Sequence, residues 1–135
     1  RETGLIHLRQ LVVSGDAGRA INPLVCRGQD EGSAIMGLTG VLFPCMVYDG
    51  PMLMNGNGLD YRVPLATDIP DGFVSILQEQ GHGPGPYGAK SIGEGCMLPV
   101  ASAIANAVED AIGVRIRELP LTPERVLAAI DKSSQ

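Results

Sequence analysis

Short apolar runs, separated by stretches rich in glycine and proline, divide the chain into predicted strands and helices. Residues 5–14 and 73–77 are rich in Leu, Val and Ile and are predicted as strands, and residues 43–49 are predicted as a third. Residues 24–42 are predicted as a helix, although four glycines interrupt it. Because each glycine costs about 1 kcal/mol in a helix interior relative to alanine, we expect this helix to pack closely against other backbone or against a ligand.

Two further helices are predicted in the last part of the chain. Apolar residues on one face predict a helix that begins near Pro99 and ends at Gly113. A second helix is predicted to begin at Pro123, with Thr122 as its N-cap, and to run through Ile130. The order of elements predicts a single domain of the α+β class, with mixed strands, one glycine-rich helix and two C-terminal helices.

Composition and charge narrow the class of protein. Hydrophobic residues make up 44% and charged residues 19% of the 135 residues, as is typical of a globular chain with one core. The net charge of −5 at pH 7 argues against a nucleic-acid partner, and no apolar run is long enough to span a membrane. The three cysteines and two histidines are far apart in the sequence, which indicates reduced thiols in a cytoplasmic protein and no zinc or iron–sulfur site.

The clearest chemical feature is the loop at residues 88–95, Gly-Ala-Lys-Ser-Ile-Gly-Glu-Gly. Its single carboxylate, Glu94, lies between two glycines, and glycines allow backbone amides to approach a ligand closely. A partly desolvated carboxylate in such a loop is suited to act as a general base. On the spacing alone, a surface turn with a solvated glutamate is the stronger interpretation.

Four stretches, in their order along the chain, resemble the molybdenum hydroxylases of the xanthine dehydrogenase/aldehyde oxidase family. The loop at 88–94 is similar to the family's Gly-Ala-Lys-Gly-x-Gly-Glu loop, which carries the catalytic glutamate. The stretch at 28–32 is similar to its Gly-Gln-x-Glu-Gly helix. The other matching stretches are residues 16–23 and, near the C-terminal end, 103–107 with 113–124. The resemblance implies that residues 1–135 are the C-terminal part of a molybdopterin-binding domain whose upstream part is absent from this chain.

The resemblance also implies roles for single residues. Glu94 is expected to be the general base that takes a proton from a molybdenum-bound hydroxyl. Gln29 matches the glutamine that lies along the pterin cofactor. Backbone beside the metal is expected from Lys90, Ser91, Ile92 and Gly93. No residue of this chain is expected to bind molybdenum directly, because the pterin holds the metal.

The chain departs from the family pattern after the glutamate. The family often has two prolines there, where this chain has Gly95 and Cys96, and Ser91 replaces a common glycine. Cys96 is interpreted as a buried, small apolar residue rather than as a nucleophile, because no basic partner is near it in the sequence. Glu31 is interpreted as a structural hydrogen-bonding residue rather than as a second base.

For the function, the resemblance implies a cytoplasmic oxidoreductase that hydroxylates an aldehyde or an N-heteroaromatic compound with oxygen from water. The pterin, either alone or as its cytosine dinucleotide, would be bound together with the rest of the molybdopterin-binding subunit. The 2Fe-2S clusters and FAD are expected on other chains or domains of a hetero-oligomer, so the isolated chain is expected to be inactive. Three alternatives are a reductase of an aromatic acyl thioester, a non-catalytic structural fragment and a free-standing anion-binding module.

Overall fold

The computed structural model, which describes residues 2–133, contains four strands and four α-helices in its described part. The strands are β1 (Gln10–Asp16), β2 (Tyr48–Asp49), β3 (Met52–Leu53) and β4 (Gly72–Gln78). The α-helices are α1 (Pro23–Leu42), α2 (Glu94–Met97), α3 (Val100–Ile112) and α4 (Pro123–Ser133). Short 3₁₀ turns lie at Ala66–Asp68 and Pro86–Gly88. The predicted α+β class, with a glycine-rich helix and two helices near the C-terminal end, is confirmed.

The strands β1 and β4 pair in parallel along their whole length. Because parallel strands end at the same edge of a sheet, the segments that follow β1 and β4 leave it side by side. The predicted strand at residues 73–77 lies within β4 and is confirmed. The predicted strand at 5–14 is wrong for residues 5–9, because the partner strand begins only at Gly72; residues 4–10 line a groove with α3 and α4 instead.

The predicted strand at residues 43–49 is also wrong over most of its length. Only its last two residues form a strand, β2, which pairs with β3 across a turn where Gly50 has φ +54°. Before β2, Val47 O accepts one backbone hydrogen bond, from Met54 N at 2.8 Å, and the side chain of Asn55 supplies two further bonds. Asn55 Nδ2 donates to Cys45 O at 2.9 Å, and Val47 N donates to Asn55 Oδ1 at 2.8 Å.

Helix α1 begins where the sequence predicts, because the side chain of Asn22 caps it by accepting a hydrogen bond from Val25 N at 3.2 Å. The expectation that its glycines mark close packing is correct at Gly37. A Cβ at that position would lie 2.8 Å from side-chain atoms of Val100 in α3. At the other three glycines a Cβ would meet no atom within 4 Å: Gly28, Gly32 and Gly40.

The core lies between α1 and the other helices, with one face of β1 against it. It consists of Val13, Ala34, Leu38, Val41, Cys96, Val100, Ile104, Val108 and Leu121. Helix α3 ends as predicted, because Gly113 adopts φ +82° and donates its N–H to Glu109 O at 2.7 Å. Helix α4 begins at Pro123 as predicted. Between residues 2 and 133, no helix is both long and apolar enough to cross a membrane.

Candidate active site

An ion pair joins the turn after β1 to the loop after β4. Lys90 Nζ lies 2.5 Å from Asp16 Oδ2, and Gly18 N donates to Asp16 Oδ1 at 2.8 Å. The hydrogen bond from Lys90 and then that from the Gly18 N–H lower the pKa of Asp16 below its ordinary value. The side chain of Lys90 is therefore used to hold the loop against the end of β1.

Backbone hydrogen bonds fix the same two segments against each other. Lys90 N donates to Ala17 O at 2.8 Å, and Arg19 N donates to Gly88 O at 3.1 Å. Gly18, between them, has φ +64°, and a Cβ on it would lie 2.3 Å from Gly88 O. Only glycine is compatible with both the left-handed backbone and this close approach. The start of the sequence-predicted site is thus held rigidly at the carboxyl edge of the sheet.

The end of the same loop lies on helix α1. Gly93, which is buried, has φ +111° and precedes α2, whose first residue is the exposed Glu94. A Cβ on Gly93 would lie 3.5 Å from Gln29 Cβ and 3.6 Å from Gln29 Oε1. The fold therefore brings together Gly93, Glu94 and Gln29, which the sequence assigns to one site although a long stretch of chain separates Gln29 from the other two.

The residues between these anchor points form the wall of the candidate site. Lys90 and Ile92 are half-buried, and Ser91 is exposed. Gln29 and Glu94 are both exposed, so their carboxamide and carboxylate are accessible from outside the described part of the chain. Among residues 2–133 no side chain caps the start of α2, where the N–H of Cys96 bonds to Gly93 O at 3.0 Å.

This set of groups fits a flat, heteroatom-rich cofactor. A carboxamide both donates and accepts hydrogen bonds, an ionised carboxylate only accepts them, and the uncapped backbone of α2 donates them. A Cβ would meet nothing within 4 Å at Gly28, Gly32 or Gly95, so the helix surface beside Gln29 and Glu94 is open. The part of the chain that the structure describes thus leaves both polar side chains, Gln29 and Glu94, exposed.

Sequence reasoning missed Asp30, which is adjacent to Gln29 but buried with 1% of its surface exposed. Neither carboxylate oxygen has a hydrogen-bond partner among residues 2–133. A signal for its burial exists in the sequence. Asp30 is spaced four and eight residues before Ala34 and Leu38, so it lies on the stripe of α1 that faces the core.

Cys96 lies in α2, two residues after Glu94. Its side chain is buried, which confirms the prediction of a small core residue. Burial, followed by the hydrogen-bonding and charge effects of Asp30, raises the pKa of the Cys96 thiol to about 11. A thiol with so high a pKa is protonated at neutral pH, which disfavours a nucleophilic role.

Comparison with known proteins places this architecture in a family. Residues 1–70 match the family described as molybdopterin cofactor-binding domain. Over 116 residues the chain is 43% identical to the putative xanthine dehydrogenase molybdenum-binding subunit of Escherichia coli, and the match covers 82% of this chain and 15% of that protein. Over 135 residues it is 36% identical to a nicotinate dehydrogenase subunit of Pseudomonas putida, covering 100% of this chain and 11% of the relative.

Solved structures agree with the sequence comparison. The aldehyde oxidoreductase from Desulfovibrio desulfuricans has a TM-score of 0.83 and 31% sequence identity, and the match covers 95% of this chain and 14% of that one. The fold is thus that of a module found in molybdenum-containing oxidoreductases. The chain belongs to the molybdopterin cofactor-binding family of xanthine dehydrogenase-type and aldehyde oxidoreductase-type subunits, as its motifs indicate. It spans about 15% of the length of the Escherichia coli subunit.

Proposed function

We propose that this chain forms one side of the active site of a molybdenum hydroxylase, with Glu94 as the general base. Gln29 and the backbone of Lys90, Ser91, Ile92 and Gly93 line the pterin cofactor in this proposal. The observation that carries it is the position of Gly93 against α1: a Cβ on Gly93 would lie 3.5 Å from Gln29 Cβ and 3.6 Å from Gln29 Oε1, which supports grouping the next residue, the candidate base, with the candidate cofactor ligand. Membership in the molybdopterin cofactor-binding family supports the same assignment.

The reaction proposed is the hydroxylation of an aldehyde or of a carbon beside nitrogen in an aromatic ring. The bound molybdenum–pterin cofactor supplies the redox chemistry, and water supplies the oxygen. Glu94 Oε would accept the proton of the attacking hydroxyl as its oxygen bonds to the electron-poor carbon, while the C–H bond of that carbon breaks and the cofactor would take up its hydrogen with two electrons. The positive φ of Gly93 sets the direction in which Glu94 leaves the loop. The names of the relatives, which include an aldehyde oxidoreductase and a nicotinate dehydrogenase, support this substrate range.

The rest of the subunit is proposed to enclose the site. Glu94 and Gln29 are exposed in this chain, whereas a general base and its substrate work best away from bulk water. The outer face of the β1–β4 sheet is also uncovered, with Val12, Val74 and Ile76 exposed. Parallel sheets are normally covered on both faces, so further structure is expected to pack there. Iron–sulfur and flavin groups on partner chains, a cytosine dinucleotide on the pterin and a cytoplasmic location belong to the same proposal.

Substitution of Glu94 by Gln in the assembled enzyme tests the proposal. The amide keeps the shape of the side chain but accepts no proton, so kcat is expected to fall by roughly 10²- to 10⁴-fold. The molybdenum content per subunit should stay at the level of the unchanged enzyme. Glu118→Gln is the matched control, because Glu118 is also exposed but lies in another part of the surface. Unchanged turnover in Glu94→Gln would remove the base assignment.

A further inference from the structure

The segment after β3 contains two Asn-Gly pairs, Asn55-Gly56 and Asn57-Gly58. An asparagine before a glycine can lose its side-chain amide, because the next backbone nitrogen attacks the side-chain carbonyl carbon and glycine has no Cβ to hinder that approach. The reaction also needs an accessible side chain and a backbone N–H that is not already bonded. The surroundings of each pair therefore determine which of the two can react.

The first pair is protected by the fold. Asn55 has 8% of its surface exposed, and both of its polar side-chain atoms are bonded to the backbone before β2. Its Nδ2 donates to Cys45 O at 2.9 Å, and its Oδ1 accepts from Val47 N at 2.8 Å. Loss of the amide would remove the donor to Cys45 and leave a carboxylate in a buried position, which is unfavourable. We therefore expect Asn55 to keep its amide while the protein is folded.

The second pair has an exposed asparagine whose carbonyl is already polarised. Asn57 Oδ1 accepts hydrogen bonds from Leu59 N at 2.9 Å and from Asp60 N at 3.0 Å. Attack on the side-chain carbonyl carbon turns this oxygen into an oxyanion, and two backbone N–H groups that point at it stabilise such a charge. Asn57 Nδ2, the leaving group, donates to Asp60 Oδ2 at 2.6 Å at the protein surface, where water can reach it.

Gly58 supplies the attacking nitrogen without competition from another bond. Within residues 2–133, the N–H of Gly58 donates no hydrogen bond. Gly58 is exposed, and a Cβ on it would meet no atom within 4 Å. The nitrogen is therefore open to a base from solvent, and the backbone has space to adjust as a ring closes.

We propose that Asn57 is a site of spontaneous deamidation, with Gly58 N as the nucleophile. A solvent base removes the proton of Gly58 N, the nitrogen bonds to Cγ of Asn57, and the bond from Cγ to Nδ2 breaks. Water returns a proton to Nδ2, which leaves as ammonia, and a cyclic imide remains. Water then opens the imide at either carbonyl, which gives aspartate or isoaspartate at this position. The steps need no oxidant or reductant.

The product would change the turn that contains it. The new carboxylate cannot donate to Asp60, so the bond from Nδ2 is lost and two like charges face each other instead. This turn is closed by Tyr61 N, which donates to Asn57 O at 3.0 Å. We therefore expect deamidation to loosen residues 57–61. The inference does not depend on the role proposed for Glu94.

Peptide mapping by mass spectrometry of the assembled protein tests the proposal, after incubation at neutral and at mildly alkaline pH. The peptide with Asn57 is expected to gain the mass of an amide-to-acid conversion, faster at the higher pH, while Asn55 stays unchanged. Asn57→Asp provides the reference for the aspartate product, and a sample taken before incubation corrects for conversion during digestion. No conversion at Asn57, or conversion at Asn55 at least as fast, would overturn the proposal.

Two glycine variants separate the attacking nitrogen from general exposure. Gly58→Ala places a Cβ in open space, so the fold is kept, but the attack is hindered and conversion at Asn57 should fall to the level at Asn55. Gly56→Ala is the matched control, because its Cβ would meet only the side chain of Leu53, and it should leave the rate at Asn57 unchanged. Equal rates at Asn57 in Gly58→Ala and the unchanged protein would contradict attack by Gly58 N.

Unfolding tests whether the fold makes the difference between the two asparagines. In denaturant both Asn-Gly pairs lose their surroundings, so Asn55 and Asn57 are expected to convert at similar rates. A preference for Asn57 that persists unchanged in the unfolded chain would contradict the protection assigned to Asn55.

Discussion

Two aspartates lie near the residues of the candidate site, Asp16 bonded to Lys90 and Asp30 adjacent to Gln29, and their surroundings differ. Asp16 lies at the end of β1, about one-third exposed, with Lys90 and the N–H of Gly18 as partners. Asp30 lies inside, with 1% of its surface exposed and with no conventional partner among residues 2–133. A partly exposed ion pair can hold two segments together, and removing one partner costs little stability because water can replace it. The free energy of a buried carboxylate depends strongly on the groups packed around it, because water cannot take the place of any group that is removed.

The largest effect is expected on the Asp16 side, from Gly18→Ala. The added Cβ would lie 2.3 Å from the backbone oxygen of Gly88, which cannot swing away, and φ +64° disfavours any side chain. The expected destabilisation is roughly 2–4 kcal/mol, from the left-handed backbone and the overpacking together. Chemical denaturation of the assembled protein measures it. Gly32→Ala is the control, since its Cβ would meet no atom within 4 Å; an equal loss there would contradict the argument from close packing.

A smaller effect is expected on the Asp30 side, from Gly15→Ala. The new Cβ would press against the buried carboxylate, 2.3 Å from Oδ2 and 2.8 Å from Cγ, at a cost of roughly 1–3 kcal/mol. Adding Asp30→Ala should make the effect of Gly15→Ala much smaller, because the clashing atoms are gone. Denaturation of both single variants and the double variant gives this coupling. Additive effects would mean that the two side chains do not share the space.

The smallest effect is expected from breaking the ion pair itself with Asp16→Asn, because both side chains are partly exposed. The pKa of Asp16 is lowered in the folded protein, so its stabilising contribution is present above the unfolded pKa, near 3.8. This contribution is lost as the pH falls through the lower, folded-state pKa. The unchanged protein should therefore be slightly more stable than Asp16→Asn at pH 7, with the difference vanishing in acid. Thermal unfolding of both proteins at several pH values measures this difference. A difference in stability that does not change with pH would contradict this account.

The extent to which sequence predicted the site differs between its parts. The loop at 88–94 and the stretch at 28–32 carry motifs, and the contact of Gly93 with Gln29 agrees with grouping them. The burial of Asp30 was missed because a charged residue between Gln29 and Glu31 suggests a solvated position unless the whole face of α1 is followed. The absence of a partner for its carboxylate among residues 2–133 depends on β1 and α2, which pack around Asp30 only in the folded chain. The sequence alone therefore could not show it.

The errors in the fold have a related cause. Residues 5–9 and 43–47 are apolar enough for strands. A strand, however, also needs a neighbouring strand to pair with, and the local composition does not indicate whether one is present. At 43–47 two of the hydrogen bonds to the backbone come from the side chain of Asn55, and a backbone bond from Met54 reaches only Val47. The helices were predicted better, because caps such as Asn22 and Gly113 act within a few residues of the backbone that they satisfy.

Gln29 and Asp30 are consecutive residues of α1, yet one is exposed and the other has 1% of its surface exposed. Successive residues of a helix differ by about 100° in direction, so a single rotation of α1 about its axis sets both. A rotation of α1 that moved Gln29 away from the surface would also move Asp30 out of its buried position between Gly15 and Cys96. The burial of Asp30 therefore fixes the rotation of α1 about its own axis. That rotation sets the direction in which the carboxamide of Gln29 leaves the helix.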